Sequence, residues 1–345
     1  MMQIASNADY AINAGFDINL AAAIQLKNMV QSHWKYHNEA DLRRFPDEDS
    51  EDEEEIKSII ISEADKEFVK VHIIQACAHA PSFGVLALFE DIVYMVARYE
   101  MPENWPNAML EITELLQQDD ENKVFGGLTA LKEVVHRFEF EFRENRLPLQ
   151  EIVNTLFPRI EEILVNLLEN NSELAIKAKN IIMETLFLAN NSRITDRYHS
   201  IENFSNLTKI IIKGFTQELP EEYTNWTENT TEIEKLQKCD FWKFKTKCIK
   251  ILNKFMIQLS DPEMAEEKDV EISQHFQANI AKEVIDIAFL VIEVFLTKYV
   301  SKEVVSFAVR IISKTEKVPC LLPLALARHE DIVFKYSLPL IRLTP

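Results

Sequence analysis

Apolar residues recur along this chain at intervals of four and three. Val124, Leu128, Leu131, Val135 and Phe138 fall on one stripe, the period of a helix with a single buried face. Leu149, Val153, Leu156, Ile160, Ile163 and Leu167 repeat it in the next segment, and Phe241, Phe244, Cys248, Ile251 and Phe255 do so further on. No segment sustains the strict alternation of a strand. The pattern predicts helices near 18–36, 62–80, 83–101, 105–118, 121–140, 148–169, 172–190, 201–219, 239–259, 271–299, 301–317 and 320–341. The longest carries Ile272, Phe276, Ile280, Val284, Ile287, Val291 and Val294 on one stripe and would measure roughly 40 Å at about 1.5 Å per residue.

Connections such as Ala80-Pro81-Ser82 and Met101-Pro102-Glu103-Asn104 are too short for anything but antiparallel neighbours. Trp105-Pro106, Phe157-Pro158 and Leu322-Pro323 each set a bulky residue before a proline, whose fixed φ suits a first helical turn or a controlled bend. Helical hairpins recurring over about forty to sixty residues predict an all-α fold, an α-solenoid of HEAT or armadillo type. We read residues 1–345 as one array, with a first set of repeats over about 1–150 and further repeats over about 151–345.

Composition narrows the function. Five glycines in 345 residues are too few for a phosphate-cradling loop or a dinucleotide fingerprint. With 37 Lys and Arg against 56 Asp and Glu, the net charge of −19 disfavours direct nucleic-acid binding. Cys77, Cys239, Cys248 and Cys320 form no close pair, which fits a reducing compartment and neither a zinc ribbon nor a disulfide framework. The opening residues lack a basic region followed by an apolar stretch, and no long uncharged apolar window exists, so neither secretion nor membrane insertion is expected. The sequon-like Asn206-Leu207-Thr208 and Asn229-Thr230-Thr231 are then coincidental.

Two stretches interrupt the helical period. Residues 46–55 hold eight carboxylates, Asp47, Glu48, Asp49, Glu51, Asp52, Glu53, Glu54 and Glu55, whose repulsion prevents packing and predicts a solvated acidic loop. It is either a plain linker or a contact for a basic protein. Residues 217–238 read as a polar inter-helix loop.

Chemistry-bearing constellations are weak. His33 and His37 have helical spacing around Trp34 but no third ligand, so helix-end histidines are the simpler reading. His72 and His79 flank Cys77 as packed or rim residues, and His329-Glu330-Asp331 lacks the second histidine of a zinc-protease helix. Asp119-Asp120, with Asn171-Ser172-Glu173 later, is a faint echo of metal-binding carboxylates but fits helix N-termini better. Trp105 reads as core at a helical joint. In Trp242-Lys243-Phe244-Lys245, Phe241, Phe244 and Cys248 define the buried stripe, leaving Lys243, Lys245 and Lys247 as a solvated face. No catalytic residue, metal or cofactor is expected.

The residues themselves resemble a known family. Ala21-Ala22-Ala23-Ile24-Gln25-Leu26-Lys27-Asn28-Met29-Val30 followed by Trp34 is similar to the amino-terminal signature of the importin-β superfamily of nuclear transport receptors. In order come Asp65-Lys66-Glu67-Phe68 leading into Ile73-Ile74-Gln75-Ala76 with His79, then Asn104-Trp105-Pro106. Gly127-Leu128-Thr129-Ala130-Leu131-Lys132-Glu133 with Arg137-Phe138-Glu139-Phe140, then Pro148-Leu149 and Phe157-Pro158, continue the series. Phe241-Trp242-Lys243 with Cys248 resembles a joint of the importin seven/eight branch.

That resemblance implies a superhelical HEAT array and an amino-terminal portion, or a shortened member, of a receptor shuttling between cytoplasm and nucleus. The implied partners are Ran-GTP, phenylalanine-glycine nucleoporins and protein cargo, with ribosomal proteins or histones as basic candidates. Hydrolysis would belong to Ran. Contacts in this superfamily follow helix position rather than a motif, so the partner-facing candidates come from geometry: if second helices of each pair line the inner side, Asp65, Glu67, Lys70, Glu111 and Glu114 are exposed polar positions there. The competing readings are a Ran-independent HEAT scaffold or adaptor and, more distantly, an all-α enzyme.

Overall fold

A computed structural model of the chain describes residues 1–6, 18–34, 61–141, 143–221, 239–261, 265–295, 299–319 and 321–327. Among these residues no strand occurs; the regular elements are helices. They are α1 (Met2–Ser6), α2 (Ile18–His33), α3 (Glu63–Ala78), α4 (Phe83–Glu100), α5 (Ala108–Leu116), α6 (Glu121–His136) and α7 (Leu147–Leu167). After these come α8 (Glu173–Asn190), α9 (Ile201–Thr216), α10 (Asp240–Leu259), α11 (Val270–Asn279), α12 (Ala281–Phe295), α13 (Lys302–Lys317) and α14 (Leu322–Leu326). The acidic run 47–55, His37, His329 and most of the polar run after Glu221 lie outside the described residues.

Capping side chains fix the helix starts. Ser62 Oγ accepts the Asp65 N–H at 3.2 Å, Ser82 Oγ the Val85 N–H at 3.3 Å, and Ser172 Oγ the Ala175 N–H at 3.2 Å. Asp120 Oδ1 accepts from Asn122 N at 2.9 Å and Lys123 N at 3.3 Å, the helix-start role expected of Asp119-Asp120. Each such cap stabilises its helix by about 1 kcal/mol.

Pro158 lies inside α7, within the helix expected over 148–169. Asn154 and Pro158 share an exposed face, so the carbonyl that loses its intrahelical donor turns toward solvent. One element differs from the sequence expectation: the single helix expected over 271–299 is two, because Ile280 has φ −122° and the Asn279 amide bonds back to the His275 carbonyl at 3.1 Å. A short polar side chain competing for the backbone is a weak point in a helix; the apolar stripe continues across it.

The chain packs as two compact units, Met1–Ile160 and Glu161–Pro345, the division falling within α7. In the first unit α3 and α4 form one hairpin and α5 and α6 the next. One layer is built where α3 meets α1 and α5, the other where α4 meets α2 and α6. Trp34, Ile73, Ile74, Phe89, Val93, Leu131 and Val134 are fully buried between them. The close approach of α6 to the end of α3 requires Gly126, where a Cβ would sit 2.4 Å from Ala78 Cα. Trp105 is core, donating its indole N–H to the Lys70 carbonyl at 3.2 Å.

In the second unit α10 lies at the centre, against α8, α9, α11 and α13, and α12 pairs with α13. Phe204 meets Phe255 edge-on at 5.0 Å between ring centroids and Phe276 at 6.3 Å, which ties α9, α10 and α11 into one aromatic core.

Candidate functional site

Four of the five sequence candidates present themselves on one layer of the first unit. Asp65, Glu67 and Glu114 are exposed and Glu111 is half-buried. Lys70 is not on the surface: it is 5% exposed, and its ammonium donates to the Asn104 carbonyl at 2.9 Å and pairs with Glu67. That lysine ties α3 to the turn before α5, a burial that spacing alone conceals because a long aliphatic stem can pass beneath neighbouring side chains. All five residues sit on α3 and α5, the first helices of their hairpins rather than the second.

Phe68 and His72, one turn apart on α3, stack with centroids 4.2 Å apart, and His72 Nδ1 lies 2.7 Å from the Phe68 carbonyl. Glu111 on α5 faces them. Burial pushes its carboxyl up to about 7, Glu114 adds to the rise and His72 opposes it. Its Oε2 is buried with no hydrogen-bond partner, which is where the desolvation arises. Val71 and Leu110 stand more than half exposed on the same two helices.

A cavity of about 530 Å³ opens beside this face, lined by Met2, Leu26, Met29, Val69 and Phe68, with Asp65 and His33 as polar groups. Its walls come from α1, α2 and α3. Ser62 Oγ donates to Asp65 Oδ2 at 2.6 Å, fixing that carboxylate at the rim.

On the other layer a polar ladder crosses the helices, and sequence reasoning missed it. Lys27 on α2 meets Asp91 on α4 at 2.6 Å; Lys132 on α6 bridges Glu90 and Glu133, each at 2.8 Å. His136 lies between Glu133 and Glu139 at 3.3 and 3.7 Å, its ring tilted over Tyr94. Burial opposes the Lys132 charge, but Glu133 and Glu90 override it and raise its pKa. The Lys132-Glu133 pair was visible in the sequence; its cross-helix partner Glu90 was not, since it lies 42 residues away.

In the second unit the expected solvated lysine face is only partly found. Lys243 is exposed, whereas Lys245 donates to the carbonyls of Phe215 and Gln217 at 2.5 and 2.6 Å, capping the end of α9. Burial pushes its ammonium down to about 8. Lys179 does the same at the end of α7, donating to the Asn170 carbonyl at 3.0 Å with its charge over Phe241 and Phe244. Phe241, Phe244 and Cys248 are buried as expected, and burial pushes the Cys248 thiol up to about 12, far from a reactive thiolate.

Among the described residues no group of three or more His, Cys, Asp or Glu side chains is placed to hold a metal. Ser205 Oγ lies 2.8 Å from His275 Nε2, but the Asn279 amide sits 3.2 Å from Nδ1. An amide donor on Nδ1 leaves the ring proton on Nε2, so the imidazole donates to the serine and cannot take its proton. Among the described residues no helix is long and apolar enough to cross a membrane.

Antiparallel hairpins stacked in layers, with polar helix surfaces and a small apolar cavity, define a helical-repeat protein of HEAT type, a class that works by presenting helix surfaces to other proteins. A solved structure of the exportin Cse1 in its cargo-free, cytoplasmic state shares that fold, with a TM-score of 0.72 at 14% identity over 98% of this chain and 33% of that one. Residues 2–79 match the family model of the importin-beta N-terminal domain. Importin-8 of Mus musculus is 26% identical over 172 residues, 50% of this chain and 16% of that protein. The importin beta-like SAD2 homolog of Arabidopsis thaliana is 24% identical over 285 residues, 80% of this chain and 25% of the relative. Exportin-2 of Drosophila melanogaster is 25% identical over 155 residues, 45% of this chain and 14% of that protein. In sequence the chain is similar to members of the importin-β superfamily, and its amino-terminal residues 2–79 match that family's N-terminal domain model. It spans a quarter or less of the length of these sequence relatives.

Proposed function

We propose that this chain is the amino-terminal part of a nuclear transport receptor of the seven/eight branch, which binds Ran-GTP, protein cargo and phenylalanine-glycine nucleoporins and shuttles between cytoplasm and nucleus. The match of residues 2–79 to the importin-beta N-terminal domain carries the reading, and the Importin-8 relatives support the branch. Flexible coupling between stacked repeats lets one partner alter the affinity for another. The carboxylates Glu90, Asp91 and Glu133, set against Lys132 and Lys27, suit basic cargo. The apolar cavity beside Phe68 is a seat for a nucleoporin phenylalanine. Asp65, Glu67, Glu111 and Glu114 remain the partner-facing candidates; Lys70 serves as their support. The chain performs no chemistry of its own in this scheme.

A pull-down with Ran locked in its GTP form, set beside the GDP form, tests it. Retention of the GTP form alone, weakened by charge reversal at Asp65, Glu67, Glu111 and Glu114, is expected. Retention of neither form supports the Ran-independent scaffold instead, and undiminished binding by the reversals removes those four residues.

A further inference from the structure

The exposed side of α3 and α5 combines large apolar side chains with unbalanced negative charge. Phe68 and Val71 on α3 and Leu110 on α5 are all exposed. Phe68 stacks on the His72 ring, so α3 presents a plate of two rings. The Trp105 indole on the Lys70 carbonyl and the Lys70 ammonium on the Asn104 carbonyl fix the middle of α3 against the start of α5. Val71 and Leu110 directly precede His72 and Glu111, the pair that faces across the groove between the two helices.

The charge around this apolar patch is one-sided. Both lysines of α3 are already engaged, Lys66 by Glu63 at 2.6 Å and Lys70 by Glu67, and α5 carries no basic residue. Asp65, Glu111 and Glu114 meet no lysine or arginine among the described residues. Glu114 is close enough to oppose the ionisation of Glu111, a repulsion that an added cation relieves.

We propose that the groove between α3 and α5 is a docking site for a basic amphipathic helix of a partner protein, whose apolar stripe covers Val71, Leu110 and the Phe68 ring while a flanking arginine reaches Glu111 and Glu114. Helices that dock in grooves carry apolar anchors at helical spacing with polar residues beside them. Arginine suits the site better than lysine, because a planar guanidinium can lie against the Phe68-His72 plate while donating to a carboxylate. An uncharged helix would bury these carboxylates without a compensating donor, and nucleic acid would meet charge of its own sign. The proposal rests on the reading of Asp65, Glu111 and Glu114 as partner-facing and names the chemistry of the partner.

The test is fluorescence anisotropy of a labelled peptide of about fourteen residues, with leucine along one helical stripe and arginine beside it, against the intact chain at low salt. Binding should weaken as salt is raised. It should weaken about tenfold in the double variant Val71→Ser and Leu110→Ser, and by a similar factor in Glu111→Gln and Glu114→Gln. With unfolding midpoints monitored, the two independent pairs separate lost docking from lost fold. Failure of the peptide to bind at low salt overturns the proposal. Binding that ignores either pair does so too, as does equal binding of the same peptide with serine at every leucine. The probe contains neither Ran nor cargo, so its failure and a failure to retain Ran-GTP are separate results.

Discussion

Trp34, just past the end of α2, donates its indole N–H to the carboxylate of Glu100, the last residue of α4, over 2.8 Å. Both are buried, Trp34 completely and Glu100 to 7% exposure, so the bond joins the ends of two adjacent helices where neither group meets water. Trp34→Phe keeps most of the apolar contact but leaves the Glu100 carboxylate without this donor. An unpartnered buried polar group costs about 1–3 kcal/mol. We expect a lower urea midpoint with an unchanged slope, and Glu100→Leu in the Trp34→Phe background to recover part of the loss.

Gly126 and Gly84 make opposite predictions for the same substitution. A Cβ at Gly126 meets the Ala78 backbone at 2.4 and 2.5 Å, which no rotamer change relieves, whereas at Gly84 the nearest atoms are 3.8 Å away. Gly126→Ala should destabilise by about 1–3 kcal/mol through forced separation of α6 from α3. Gly84→Ala should be neutral or stabilising by up to about 1 kcal/mol, since α4 gains a better helix former. Thermal unfolding of the two variants checks both signs.

Glu111 makes stability depend on pH in an unusual direction. Its carboxyl is raised to about 7 in the folded chain from an ordinary 4.5. Between those values the folded state holds the proton more tightly, so its contribution is full below about 4.5 and is lost as pH rises through 7. Glu114 and His72 are the charged groups acting on it. The wild-type urea midpoint should therefore fall between pH 5 and 7.5 more steeply than that of Glu111→Gln. Parallel profiles for the two proteins would show that the carboxyl titrates normally.

Glu161 gathers three donors in the second unit: Tyr198 Oη at 2.6 Å on Oε1, Arg197 Nε at 3.3 Å on the same oxygen, and the Arg197 terminal nitrogen at 3.0 Å on Oε2. Removing one partner of a buried charged group costs more than the bond itself contributes. Glu161→Ala should lose about 3 kcal/mol and Tyr198→Phe about 1 kcal/mol. Because the two share an oxygen, the double variant should lose less than the two losses added, which a double-mutant cycle in urea measures.

Much of the fold was legible because helical period and helix-start chemistry are local. The stripe from Val124 to Phe138 became α6, and Asp120 caps it as its position before that stripe foretold. The break at Ile280 was not legible, since the stripe runs through it and only backbone competition near Asn279 marks it. The candidate site was read less well. Asp65, Glu67 and Glu114 reach the surface as expected, but Lys70 is buried, because whether a long side chain folds under or out depends on a carbonyl thirty-four residues away. Lys245 turned inward for a similar reason, its capping target being supplied by another helix.

The order of amphipathic stripes determined by itself an all-α chain of helical hairpins, and the motif series gave its resemblance to the importin-β family, because each depends on spacing within a few turns of backbone. Only the tertiary structure decided which helices share a layer, which lysines face water and that Glu90 of another hairpin pairs with Lys132. Those outcomes depend on contacts between segments far apart in the chain, where burial and charge are set by neighbours that a linear pattern does not name.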